Sequence, residues 1–342
     1  MTRRFLRPLL AVALVTAACS SPAPTSTTAA PVPDAAPPIE VLDNPIPLIV
    51  DYSPTASDVG ALLYLLSHPN IDVLAITLPV TGEAGCQLGA DVTLGILAML
   101  ERENIPVACD SDRPVGAKEW PAEFLTGHEA LTFGLPDPVS VLDPRPAHQL
   151  ISDVVAASER TVTLYAVAPL TNVARALQVH PETKDRIDRV VIMGGAVDAG
   201  GNVQGTDAEW NLWIDAPSAA SVFASGAPIT LVPLDATNDV PVPDLWQSDL
   251  EAAEQSDAVG YLTALVGTFP AVTSGFYYFW DELAGAVAAG EDLVVAEEVG
   301  LVVTDDGSTV RDPAGVPVVV ATGVGDPAGF YAHFLSTISG GG

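Results

Sequence analysis

From Pro47 onward, short β-branched runs alternate with longer stretches whose apolar residues recur at helical spacing. Residues 48–51 are apolar until the final Asp51, and Leu62, Leu63, Leu65 and Leu66 then place a helix over Asp58–Ser67. The strand signal returns at Ile71–Leu78, Val107–Cys109, 162–167, 190–193 and Ile229–Val232, with helices around 91–101, 148–158, 170–180 and 217–224. Near the end, 293–303 and 309–310 flank Asp305-Asp306-Gly307, a hairpin turn, and beyond them come a last strand over 316–321 and a helix over 330–338. The pattern predicts an α/β fold: one domain with a mostly parallel central β-sheet, flanking helices and a C-terminal hairpin. Such sheets carry their sites at the carboxyl ends of the strands, so the candidate positions lie in the loops after Asp51, Leu78, Val167 and Met193.

The first residues obey a different rule. Arg3, Arg4 and Arg7 precede an apolar run and then Thr16-Ala17-Ala18-Cys19, which reads as an export signal over 1–18. The cysteine placement resembles the lipobox of bacterial lipoproteins, so the expected location is the outer face of the cell membrane through a lipid on Cys19, with plain secretion as the alternative. Residues 19–46 are rich in Pro, Ala, Ser and Thr and read as a tether, leaving 47–342 as the folded domain. Cys86 and Cys109 remain, either as a disulfide or as two buried thiols. The chain carries 13 Lys and Arg against 43 Asp and Glu, a net charge of −30, which argues against nucleic acid as a partner.

The chemistry gathers at the strand ends. Strand one runs into Asp51-Tyr52-Ser53-Pro54-Thr55-Ala56-Ser57-Asp58; later come Pro169-Leu170-Thr171-Asn172, Met193-Gly194-Gly195, Gly201-Asn202-Val203 and Glu209-Trp210-Asn211-Leu212-Trp213-Ile214-Asp215. In this order and spacing these elements resemble the inosine/uridine-preferring nucleoside hydrolase family, from about Leu48 to the last helix. The resemblance implies hydrolysis of the N-glycosidic bond of a ribonucleoside, with a calcium ion at the strand ends and a small-molecule nucleoside as the partner. An oxocarbenium-like transition state needs nearby negative charge, and calcium takes carboxylate and carbonyl oxygens.

The resemblance assigns the metal to Asp58, Asp281 and the carbonyl of Val167, and the sugar to Asn202, Glu209 and Asn211. It places Ser53 and Asp58 at catalytic positions and Trp280 near the leaving base. The chain departs from the family at its acid cluster: Ser53 and Ser57 stand where the family has carboxylates, Ser53 at the position of the water-activating base. Thr126 stands at another usual histidine position. Asp51 or Glu83 is a candidate to compensate. Simpler readings stand beside these: Asp58 and Asp281 as helix N-caps, Glu209 and Asn211 as loop polar residues, Asp51 as loop support. Three functions are open: a nucleosidase with an altered metal site, a silent nucleoside- or ribose-binding lipoprotein, and a partner-binding lipoprotein with a vestigial pocket.

Overall fold

A computed structural model describes residues 39–110 and 112–340. The export signal, Cys19 and most of the tether lie outside the described residues. Its strands are β1 (Ile46–Asp51), β2 (Ile71–Leu78), β3 (Val107–Cys109), β4 (Val162–Ala166), β5 (Ile187–Met193), β6 (Ile229–Val232), β7 (Val294–Val303), β8 (Thr309–Arg311) and β9 (Val316–Val324). They form one sheet in the order β3-β2-β1-β4-β5-β6-β9-β7-β8, parallel from β3 to β9, with β7 antiparallel to both β9 and β8. The expected hairpin is β7–β8.

The helices are α1 (Asp58–Ser67), α2 (Gly85–Met99), α3 (Ala147–Ala157), α4 (Thr171–Val179), α5 (Trp210–Ile214), α6 (Ala216–Phe223), α7 (Leu234–Thr237), α8 (Trp246–Ala252), α9 (Asp257–Thr268), α10 (Trp280–Ala289) and α11 (Pro327–Ile338). Among the described residues none is long and apolar enough to cross a membrane. Helices α5 and α7–α9 are additions to the pattern read from the sequence.

Because strand side chains alternate, the central strands feed two cores. Leu48, Val50 and Tyr52 join Ile76, Tyr165 and Val167 on one face, beneath α1, α2, α9, α10 and α11. Ile49, Ala75, Leu164 and Ala166 face the other way, against α3, α4 and α6. Helix α1 is buried on every side from Val59 to Leu66, so its only polar ends are its termini. The segment before Pro47 is tied to the domain: Leu42 N donates to Asn70 Oδ1 at 2.7 Å, and Asn70 Nδ2 donates to the carbonyl of Glu40 at 2.8 Å. Cys86 and Cys109 form a disulfide, with Cα atoms 5.9 Å apart, joining the start of α2 to the end of β3.

Candidate active site

The strand alternation first decides the place of Asp51. It points to the α4 face, where its Oδ1 accepts from Thr77 Oγ1 and Asn172 Nδ2, both at 2.7 Å. Burial pushes its carboxyl up to about 7. Asp51 ties β1 to β2 and α4, which is the supporting role read from the sequence.

Asp58 lies on the other face, at the start of α1. It does not cap that helix: Ser57 holds the N-cap position, in helical conformation and without a side-chain cap bond. The Asp58 Oδ2 instead accepts from Thr55 N at 3.0 Å and from Thr55 Oγ1. Asp281 likewise sits within the first turn of α10 behind Phe279, whose position carries no side-chain cap bond. Asp58 and Asp281 are hydrogen-bonded to each other through their carboxyls. Burial raises Asp58 to about 7, and burial with the charge of Asp58 drives Asp281 well above the carboxylate range. Beside them Glu282 is buried and raised in the same way. Asp281 Oδ1 and Glu282 Oε2 are buried without a hydrogen-bond partner. Two carboxyls sharing a proton, with an orphaned oxygen on one, form a set that a hard cation satisfies by replacing the proton.

Val167 ends the same face as Tyr165, and its carbonyl accepts from Asn211 Nδ2 at 3.3 Å. Asn211 also donates to the Met193 carbonyl at 3.3 Å, so one amide bridges the ends of β4 and β5. Glu209 is the N-cap of α5. Its carboxylate accepts from Asn211 N at 3.0 Å, Leu212 N at 3.3 Å and Gly195 N at 3.1 Å. Gly195 adopts φ +77, the left-handed turn for which the Met193-Gly194-Gly195 run is suited. Burial raises Glu209 to about 7, and its charge is felt by Asp281. Glu209 is therefore a helix cap, which the sequence reading did not foresee, and it still belongs to the acid cluster.

Ser53 is buried, and its Oγ accepts from Ala84 N at 3.0 Å. It anchors the loop between β2 and α2. Ser57 Oγ is 2.9 Å from Thr55 Oγ1. Trp280 is half-buried against Tyr277 and Tyr278, with ring centroids 5.8 and 5.6 Å away. Asn202 is exposed, its Oδ1 accepting from Trp210 N at 3.2 Å. Thr126 is exposed and donates to the Ala122 carbonyl.

Sequence reasoning missed two features. Glu282 comes directly after Asp281, and only the packing of α10 on α1 shows that both are buried. His128, two residues after Thr126, lies 3.1 Å from Glu83 Oε1. An aromatic group also adjoins the Glu209–Asn211 turn: Trp210 stacks on Trp120 at 5.6 Å and meets Phe124 and Trp213 edge-on.

Two other polar clusters are separate from this site. His68, Glu291 and His333 gather at the far end of α1 with ligand-type atoms within 4.8 Å of one another. His68 Nδ1 accepts from Asn70 N, which leaves the proton on Nε2, 3.1 Å from Glu291 Oε1; His333 Nε2 is 2.7 Å from Tyr64 Oη. That tautomer suits a hydrogen-bond network joining α1, α10 and α11 rather than a metal ligand. A cavity of about 540 Å³ opens beside the disulfide, lined by Asp110, His148 and Arg175, with Asp110 paired to His148 at 2.9 Å.

The comparisons with known proteins agree with this geometry. The family model described as inosine-uridine preferring nucleoside hydrolase matches residues 48–332. A pyrimidine-specific ribonucleoside hydrolase of Shewanella oneidensis is 36% identical over 203 residues, 58% of this chain and 62% of that protein's length. One of Escherichia coli O81 is 32% identical over 247 residues, 71% of this chain and 76% of the relative. The purine-preferring ribonucleoside hydrolase of Gardnerella vaginalis superposes with a TM-score of 0.76 at 26% identity, over 86% of this chain and 98% of that one. The inosine-uridine preferring nucleoside hydrolase of Bacillus anthracis gives 0.78 at 23% identity, over 86% and 99%, a likeness of fold. From the sheet order, the strand-end acids and a family match running through nearly the whole described domain, the chain belongs to the inosine-uridine preferring nucleoside hydrolase family.

Proposed function

We propose that this protein hydrolyses the N-glycosidic bond of ribonucleosides, releasing ribose and a free base, outside the cytoplasm. One observation carries the reading: Asp58 and Asp281 share a buried, partly unsatisfied carboxyl pair at the strand ends, and the charges that act on the two come from other acids. Asp58, Asp281 and the Val167 carbonyl are oxygen donors that suit calcium. Bound there, the ion supplies orientation of the ribose diol and acidification of the attacking water.

The chain's own groups supply the rest. The remaining negative charge of the cluster favours the positive charge that grows on the sugar as the bond to the base breaks. Asn211 has its amide at the site, and Asn202 and Glu209 fix the turn that presents it. Trp280 with Tyr277 and Tyr278, and Trp210 with Trp120, offer aromatic faces on which a base can stack. The relatives differ in the base they are named for, so the substrate class is ribonucleoside.

Export with a lipid on Cys19 rests on the basic, apolar and small-residue order of residues 1–19, and the Cys86–Cys109 disulfide supports an oxidising compartment. The decisive experiment incubates the protein with inosine, adenosine, uridine and cytidine, with calcium or with a chelator, and measures free ribose. Calcium-dependent release bears the reading out. Nucleoside binding without ribose release favours the silent binding protein, a reading that Ser53, engaged by Ala84 N, gives some weight.

A further inference from the structure

We propose that Glu83, aimed by His128, is the carboxylate that accepts the proton of the attacking water, the role left open by Ser53. The inference rests on the nucleosidase reading and deepens it. Every other acid of the cluster has a reason not to serve. Asp58 and Asp281 are committed to each other and to the cation. Glu209 is saturated by backbone N–H groups of residues 195, 211 and 212. Glu282 packs behind α1, its Oε1 against Gly60. Asp51 points to the opposite face of the sheet.

Glu83 differs in three respects. Its side chain is 19% exposed, so water reaches it, whereas Asp58, Asp281 and Glu282 are closed off. Its Oε1 lies 3.1 Å from His128 Nε2, an ion-pair contact made by one of its two carboxylate oxygens. It also stands close enough to Asp58 and Tyr277 for its charge to act on both, and Tyr277 adjoins Trp280.

The loop carrying Glu83 is fixed on the serine itself. Ser53 Oγ accepts from Ala84 N, and Gly82 passes so near that an added Cβ would lie 2.6 Å from that oxygen. Thr81 is held on both sides, by Thr171 Oγ1 at 2.6 Å and by Trp120 Nε1 at 2.8 Å. Cys86 is held by the disulfide. The small serine at 53 lets this loop sit down on the strand end between Gly82 and Ala84, and so brings in the acid of Glu83.

In the reaction, the water oxygen bonds to C1′ and its proton passes to Glu83. The C1′–N bond breaks with its electron pair going to the base, which takes a proton from solvent, and Glu83 returns its own to solvent. His128 is a positioning residue.

The test compares wild type, Glu83→Gln, Glu83→Asp and His128→Gln for ribose release across pH, and for calcium binding by calorimetry. Loss of a general base lowers kcat by about 10²–10⁴-fold, so with calcium saturating at every pH Glu83→Gln should lose at least a hundredfold, with the acid limb of its pH profile gone and calcium affinity within about threefold of wild type. His128→Gln should keep that limb at lower kcat. Glu83→Asp should also keep the limb and lose part of kcat, and it decides the matter if the glutamine variant does not fold. An aspartate variant with undiminished kcat, or a folded glutamine variant within about threefold of wild type, overturns the assignment. Loss of calcium binding in Glu83→Gln overturns it too, by making Glu83 a ligand. A wild type that releases no ribose from any nucleoside overturns the nucleosidase reading and this inference together, whereas an active wild type with an unaffected Glu83→Gln removes the inference alone.

Discussion

Tyr165 on β4 donates its hydroxyl to the backbone carbonyl of Asp281 at 2.7 Å. A central strand thereby holds the first turn of α10, and with it the carboxyl that meets Asp58. Both partners are buried, so Tyr165→Phe leaves a carbonyl unsatisfied and should cost about 1–3 kcal/mol. Chemical denaturation measures that loss. Calorimetry should show weaker calcium binding in the same variant, because the first turn of α10 loses its anchor.

The acid cluster gives the protein without calcium an unusual pH dependence. Asp51, Asp58 and Glu209 are raised to about 7 from 3.8, 3.8 and 4.5 by burial, and Asp281 and Glu282 are raised well above their ordinary values by the same cause. Between those ordinary values and about 7 the folded chain holds protons that the unfolded chain has released, so stability falls as pH rises through that window. His333, lowered chiefly by burial, and Glu291, lowered chiefly by its bond to His68, act the opposite way; so do Asp143, Asp153, Asp198 and Asp306, each lowered chiefly by a side-chain hydrogen bond, but their effect is complete near the acid end of the window. In chelator the melting temperature should be higher at pH 5.5 than at pH 8, and calcium should raise it most at pH 8. Equal melting at both pH values in chelator would show that the cluster is not protonated as described.

The disulfide joins residues 23 apart in sequence and closes the segment containing all of α2 but its first residue. Cross-links of this span contribute about 2–4 kcal/mol. The Cys86→Ser, Cys109→Ser double variant should unfold at lower denaturant by that margin, and its ribose release should fall as the Glu83 loop loosens. Unchanged activity in a folded double variant would show that Ser53, Thr81 and His128 hold the loop without it.

Gly82 offers a sharper probe of the same loop. A Cβ there meets Ser53 Oγ at 2.6 Å and Ser53 Cβ at 2.7 Å, contacts a side chain cannot keep. Gly82→Ala should cost about 1–3 kcal/mol by overpacking and should displace Glu83 from its place. A Gly82→Ala, Ser53→Gly double variant should recover part of the lost stability in the same denaturation assay.

Much of the fold is legible in the chain. Runs of branched residues and helical spacing set the limits of α1, β2, β3 and β6, since each element is apolar for nearly its full length and broken by polar or turn residues. Helix α9 carries signals of the same kind, with Ser256 accepting from Val259 N as its cap and Leu262, Leu265 and Val266 on one face, although the pattern of strands alternating with helices gives it no place. The site is harder. Asp58 and Asp281 each stand in the first turn of a helix, and local pattern makes an acid there look like a cap; only the packing of α1 against α10 shows the two facing each other. Glu83 and His128 are distant in sequence and neither belongs to a motif, so no spacing rule pairs them. The disulfide is undecidable from sequence for the same reason, a matter of distance between strand end and helix start.

The place of β9 in the sheet has a further consequence. Strand β6 finds its second neighbour only in β9, where Thr230 pairs with Val319 and Leu231 with Val320. Until the last tenth of the chain arrives, the backbone groups on that edge of β6 stay unpaired and the β7–β8 hairpin has no place to attach. The pairing is long-range and slow to close. A chain shortened before Val316 would therefore lose more than a tail: its sheet would end in a raw edge at β6, inviting association with other unfinished copies.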